Sequence, residues 1–262
     1  MSAPNIALIV LDSLRYDVAQ MALAGGETPN LERTLKEAGA GVWRKAYAQG
    51  TCTLPACISM LHAGFLPDDC ASEEPIYNRR VQGAFRGNIH LHGDRNVLYS
   101  VSHATSMVRG FAEDGYFTLG IGGVGWFDLR FKTAHLWHQY FDLFHWDPVF
   151  HESNPASLEA QIDWLSPVSI PEPTFIFWNI ASTHRPDRVP DHKPTLDLQI
   201  GALAYVDYHL PAILSLLPKP CHVFLCADHG DCFGEDGQWG HGFYHPKVME
   251  VPLVHFMIGG ES

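Results

Sequence analysis

Two short apolar runs, each closed by ligand-type side chains, constrain the fold of this chain more than any other feature. Asn5-Ile6-Ala7-Leu8-Ile9-Val10-Leu11 ends at Asp12-Ser13, and the run from Val223 to Ala227 ends at Asp228-His229-Gly230-Asp231. An uninterrupted apolar stretch of this length, bounded by polar residues and glycine, reads as a strand buried on both faces, the habit of parallel sheets covered by helices. Tyr116 to Ile121 and Thr174 to Ile180 are further runs of this kind, the latter ending in Ala181-Ser182-Thr183-His184; Val251 to Ile258 is the final strand. Helical patterns lie between. Thr28-Pro29-Asn30-Leu31 opens a helix to about Ala38, with Thr28 as its cap and Pro29 at the first helical position. Residues 155–165 read as another helix. Leu196, Ile200, Leu203, Val206, Leu210, Ile213 and Leu217 recur at helical spacing, and Pro211 among them predicts a kink or break. Strands alternating with helices imply an α/β sandwich with a mainly parallel central sheet. No repeat or composition break divides the chain, so residues 1–262 read as a single domain.

Ligands of such sheets bind beyond the carboxyl ends of the strands. Asp12, Asp228, His229 and His184 therefore fall along one edge. Asp12 has a competing reading as the cap of the turn that follows it. A hydroxyl joins the set from Gly50-Thr51-Cys52-Thr53-Leu54-Pro55, where Pro55 marks a helix start and places Thr53 at a helix amino terminus, favourable to an anion. Thr51 or Thr53 as a mere cap is the plainer alternative, and Thr51 and Cys52 are rivals for any nucleophilic role. Two carboxylates, an imidazole and a hydroxyl can build a tetrahedral site for a zinc-like ion, beside which a threonine hydroxyl becomes a nucleophile.

The formal charge of −12 argues against nucleic acid or an anionic membrane as the main partner. A small anionic substrate stays open, because a bound metal reverses the local sign. No apolar stretch is long enough to span a membrane, and Ile6 to Leu11 lacks the basic start and cleavage site of a signal peptide. The six cysteines form no CxxC pair and read as reduced thiols of a cytoplasmic protein. No feature sets an oligomeric state. Residues 66–95 read as a long loop region suited to substrate contacts, 97–101 as a strand and 103–113 as a helix. Gly122-Gly123-Val124-Gly125 lacks the spacing of a dinucleotide fingerprint. The aromatic, histidine-rich residues 126–153 fit either a short helix or a packed lid or edge.

Taken together, Asn5–Asp12 followed by Arg15-Tyr16-Asp17, Thr28-Pro29-Asn30-Leu31, Asp114-Gly115-Tyr116, Ala227-Asp228-His229-Gly230 and Val251-Pro252-Leu253 resemble the sulfatase branch of the alkaline phosphatase superfamily. Asp228-His229-Gly230 to Trp239-Gly240-His241-Gly242 is also similar to the catalytic end of phosphoethanolamine transferases and lipoteichoic acid synthases. The resemblance implies an alkaline-phosphatase-like three-layer sandwich. It implies that Asp12, Thr53, Asp228 and His229 hold one divalent metal, zinc first, with manganese or calcium as alternatives. It further implies Thr53 as nucleophile, and His184 and His241 as contacts of the transferred group or a second metal, either of them protonating the leaving oxygen. Lys247 would correspond to the lysine near the end of sulfatase sites. Sulfatases carry Cys/Ser-x-Pro-x-Arg, whose first residue becomes formylglycine; here Thr53-Leu54-Pro55-Ala56-Cys57 offers neither that residue nor the arginine. Asn179 stands where two-zinc members have an acid a few residues before the histidine. The expectation is a metal-dependent hydrolase or transferase acting on small phosphate esters. Sulfate-ester hydrolysis, or metal binding without turnover, is the alternative.

Overall fold

The computed structural model describes residues 3–63, 88–91, 95–98, 105–131, 134–184 and 193–260. Its centre is a seven-stranded sheet. The strands are β1 (Asn5–Leu11), β2 (Arg44–Tyr47), β3 (Phe117–Ile121), β4 (Leu143–His145), β5 (Thr174–Ile180), β6 (Cys221–Cys226) and β7 (Glu250–Ile258). They lie in the order β2-β7-β6-β1-β5-β3-β4. From β6 to β4 every pairing is parallel, while β7 runs against both β6 and β2. β5 is buried at every position, which is why its sequence carries no polar alternation.

Register brings the site together. Val10 pairs with Cys226 on one side and Asn179 on the other, so Asp12 and Asp228 sit two residues beyond paired positions. The Asp12 N–H donates to the Ile180 carbonyl at 3.0 Å, carrying the ladder one step past the strand.

Helices cover both faces. On one, α1 (Tyr16–Ala24), α2 (Pro29–Glu37), α6 (Ser157–Leu165) and α7 (Leu196–Leu216) bury Val18, Leu31, Leu158 and Leu203 with Ile9, Leu11, Trp178 and Leu225 of the sheet. On the other, α3 (Thr53–Met60), α4 (Met107–Glu113) and α5 (His135–Tyr140) pack Leu54, Ile58, Val108 and Trp137 on Val10, Phe175, Phe177 and Cys226. The result is the expected three-layer sandwich.

Several local expectations change. Thr28 does not cap α2 through its side chain; its hydroxyl is buried without a partner. Asp207 of α7 takes that role, accepting from Asn30 N at 3.0 Å and Leu31 N at 2.7 Å. Pro211 does not break α7, because Leu210 and Ile213 stay buried against the sheet while Pro211 itself faces outward. α3 begins at Thr53, not at Pro55; the ring sits in the first turn, whose N–H groups have no helical partner to lose. Nor is Asp12 a cap, since α1 starts only at Tyr16. The described residues of 126–153 form α5, the edge strand β4 and short 3₁₀ turns. Of the loop region at 66–95 and the strand at 97–101, only 88–91 and 95–98 are described, as a two-stranded ribbon; the rest, with 103–104, lies outside the described residues.

The glycine cluster after β3 also finds a reason. A side chain at Gly123 would put its Cβ 2.5 Å from the Asn179 carbonyl oxygen, and the Gly123 N–H donates to Asn179 Oδ1 at 3.2 Å. The cluster lets the backbone close on a residue that orients Asp12.

Candidate active site

Asp12, at the end of β1, is wholly buried and hydrogen-bonded through both oxygens. Oδ1 accepts from Ser13 Oγ at 3.2 Å; Oδ2 accepts from Asn179 Nδ2 at 3.1 Å and from Thr53 Oγ1 at 3.3 Å. Its carbonyl accepts from Thr183 Oγ1 at 2.7 Å. Ser13 has φ +60, a left-handed conformation costing roughly 1–3 kcal/mol outside glycine and asparagine. It is held there by its N–H donating to Asp228 Oδ1 at 3.0 Å and by Gln199 Nε2 donating to its carbonyl at 2.9 Å. The turn thus locks the two acids together.

Asp228 Oδ1 is saturated by Ser13 and by the His229 N–H at 2.9 Å, whereas Oδ2 is buried without a hydrogen-bond partner. His229 Nδ1–H donates to the Gly230 carbonyl at 2.9 Å, which leaves the Nε2 lone pair on the side of the acids. Nε2 lies 3.3 Å from Thr53 Oγ1, 3.7 Å from Asp228 Oδ2 and 4.0 Å from Asp12 Oδ1. One ligand-type atom from each of Asp12, Asp228 and His229 falls within 4.8 Å of the others. Burial pushes the Asp12 carboxyl up to about 6 against the opposing hydrogen bond from Asn179 and the charge of His241. Burial and the neighbouring Asp12 raise Asp228 well above the usual carboxylate range, and burial holds His229 well below the usual imidazole. Two acids that resist ionisation, an imidazole that resists protonation and an orphaned carboxylate oxygen all want the same thing, a cation between them. The donor set of two carboxylates, one imidazole nitrogen and a hydroxyl fits a divalent transition metal.

Thr53 is the first residue of α3 and makes no capping bond; its hydroxyl turns to the acids instead. Thr51 is buried, its carbonyl accepting from the Gly242 N–H at 2.7 Å. Burial, then Asp228 and Asp12, push the Cys52 thiol far above its usual range, so it keeps its proton. The histidines read from sequence stand on the more open side. His184 Nε2 is 3.9 Å from Asp12 Oδ1, and the His241 ring lies 4.3 Å from His229 and 5.3 Å from His184 between centroids. Side-chain exposure rises from 0% at His229 through 15% at His184 to 25% at His241, so the cluster opens to solvent past these two rings. Lys247 is placed differently from the rest. Its backbone abuts Gly230, while its Nζ donates to Asp17 Oδ2 at 2.6 Å in a network with Arg15 and Glu235.

Sequence reasoning had not assigned Asn179, Gln199, Thr183, Asp231 or Glu152 to the site. Asn179 is in the apolar run of β5, and Asp231 stands in the Asp-His-Gly-Asp motif itself. Glu152, whose Oε1 is 4.0 Å from His184 Nδ1, sits in an aromatic stretch without a motif.

No family model and no curated protein matches this sequence. Solved structures do. Lipooligosaccharide phosphoethanolamine transferase A, an integral membrane protein of Neisseria meningitidis, superposes with a TM-score of 0.63 at 13% identity, over 98% of this chain and 48% of that one. The chain thus spans about half the length of that transferase. The C-terminal periplasmic domain of the Escherichia coli phosphoethanolamine transferase EptC, in complex with zinc, gives 0.55 at 11% identity over 98% and 73%. A 2-O GAG sulfatase gives 0.59 at 16% identity over 97% and 64%. A Vibrio parahaemolyticus protein of the alkaline phosphatase superfamily is among the neighbours too. The chain shares the alkaline-phosphatase-like fold of these structures. The solved structures it is similar to include phosphoethanolamine transferases and a sulfatase, the groups that its motifs resemble.

Proposed function

We propose that this chain is a metal-dependent phosphate-ester hydrolase or transferase that works through Thr53. The observation that carries the reading is the Thr53 hydroxyl, 3.3 Å from both Asp12 Oδ2 and His229 Nε2 at the amino terminus of α3. Asp12, Asp228 and His229, with Thr53, would hold one divalent ion. Zinc is the first choice by donor set, and the zinc complex of the EptC domain supports it. When bound, such an ion makes a neighbouring hydroxyl more acidic and offsets negative charge on a phosphoryl group.

The residues of the chain do the rest. The Thr53 O–H points at Asp12 Oδ2, the acceptor in place for its proton. Thr53 Oγ1 then forms a bond to phosphorus as the bond from phosphorus to the ester oxygen breaks. His241 or His184, in its protonated form, gives the leaving oxygen a proton. Water, or an acceptor alcohol in the transferase case, gives its proton to that now neutral histidine and attacks the phosphothreonine, and Thr53 takes its proton back from Asp12 as its oxygen leaves. The positive end of the α3 dipole lies beside Thr53, which favours an anion there. Lys247 keeps its ammonium on Asp17 and takes no part in these steps.

A threonine cannot supply formylglycine chemistry, and the buried Cys52 holds its proton, which supports phosphate over sulfate esters. The five described cysteines, 52, 57, 221, 226 and 232, are unpaired and buried, which supports a reducing compartment. The test is turnover of 4-nitrophenyl phosphate and 4-nitrophenyl sulfate by zinc-loaded wild type and Thr53→Ala. The expected result is phosphate-ester turnover that falls at least a thousandfold, or about 4 kcal/mol, in the variant. Brisk sulfate turnover, or a variant as active as wild type, would refute the reading.

A further inference from the structure

Beside the site, Cys232–Phe233 and Trp239–Gly240 form a two-stranded antiparallel ribbon in which Cys232 faces Gly240 and Phe233 faces Trp239. One rung further, this register sets Asp231 opposite His241. There Asp231 Oδ1 accepts a hydrogen bond from His241 Nδ1 at 2.9 Å. Both ends of the rung are pinned. Arg15 Nη1 donates to the Asp231 carbonyl at 3.4 Å and to Glu235 Oε1 at 2.7 Å, with its guanidinium 4.5 Å over the Phe233 ring. The Gly242 N–H donates to the carbonyl of Thr51, two residues before Thr53. The loop that carries the hydroxyl and the ribbon that carries the imidazole are thereby one unit. Asp231 is 5% exposed, so its carboxylate is spent on His241 and not on solvent.

We propose that Asp231 is a positioning residue that sets the tautomer and ring orientation of His241. The inference rests on the reading of His241 as the group that meets the leaving oxygen. A histidine ring has two nitrogens that trade one proton, and the hydrogen bond at one nitrogen decides the state of the other. With Nδ1–H committed to Asp231, any proton His241 exchanges with a substrate passes through Nε2. The tether also stops the ring from turning over against His229, 4.3 Å away. Carboxylates that orient an active imidazole in this way are commonly worth a large factor in activity without touching the reacting atoms.

Nitrogen NMR of histidine-labelled, zinc-loaded protein reads the tautomer directly, with His241→Gln assigning the signal. Wild type is expected to show His241 protonated at Nδ1. In Asp231→Ala the proton moves to Nε2. Turnover of 4-nitrophenyl phosphate falls roughly ten- to hundredfold while KM stays within about twofold and the metal content holds. Asp231→Glu, which keeps a carboxylate, restores the Nδ1 signature and part of kcat. If Asp231→Ala does not fold, Asp231→Leu, with the same branching and without an acceptor, serves the same comparison. An unchanged His241 tautomer, an unchanged kcat, or loss of the metal with substitution would each overturn the proposal. A wild type that cleaves no phosphate ester would instead sink the functional reading, and the NMR comparison would still decide the role of Asp231.

Discussion

At the scale of single residues, the site is a charge problem. Asp12 is raised to about 6 by burial, and Asp228 is raised by burial and by Asp12. A carboxyl whose folded-state value lies above its unfolded value near 3.8 binds more protons folded than unfolded, so stability falls as pH rises between the two. Without metal, Asp12 should therefore cost nothing below about pH 4 and its full penalty above about pH 6, on the order of 3 kcal/mol at 1.36 per unit. The expected outcome is that metal-free Asp12→Asn matches metal-free wild type near pH 4 and melts higher at pH 7. Elemental analysis of Asp228→Ala should show little bound zinc, against about one ion per wild-type chain. A constant melting difference across pH would contradict the buried-acid account, and equal zinc in Asp228→Ala would remove Asp228 from the ligand set.

Among the elements, some features were legible in the chain and others depended on register. Asp12, Asp228 and His229 stood out because they close two apolar runs, Asp12 the first and Asp228-His229 the second, and a strand end is a local property. Their common edge followed from the parallel sheet. Thr53 could be placed at a helix start, though that start is two residues earlier than Pro55 suggested. Asn179 drew notice only as a missing acid, and Asp231 none, because their roles arise from pairing: Val10 opposite Asn179, and the rung beyond Cys232 opposite Gly240. The cap of α2 was hidden for the same reason. Thr28 stands where a cap belongs, but Asp207 reaches it from α7, 177 residues away along the chain. The Asp207 carboxylate satisfies two N–H groups of that first turn. Asp207→Ala should then destabilise the protein by about 1–2 kcal/mol, with Thr28→Ala smaller. Urea unfolding of both variants checks this, and a larger loss at Thr28 would show that the local cap matters more.

For the whole molecule, the carboxyl ends of the parallel strands β1, β5 and β6 fall on one side of the sheet and gather residues from both ends of the sequence into one site, from Asp12 to His241. Among the described residues no helix is long and apolar enough to cross a membrane, and the chain matches about half the length of a transferase that is an integral membrane protein. Its net charge of −12 makes local positive charge at the site the condition for holding an anion. The proposed chemistry turns on whether the Thr53 oxygen carries the phosphoryl group. Zinc-loaded protein mixed with 4-nitrophenyl phosphate, quenched in acid during turnover and digested, answers this by peptide mass spectrometry. The expected result is added phosphate on Thr53, absent from Thr53→Ala. Phosphate on Thr51, or an aldehyde at Cys52, would contradict it.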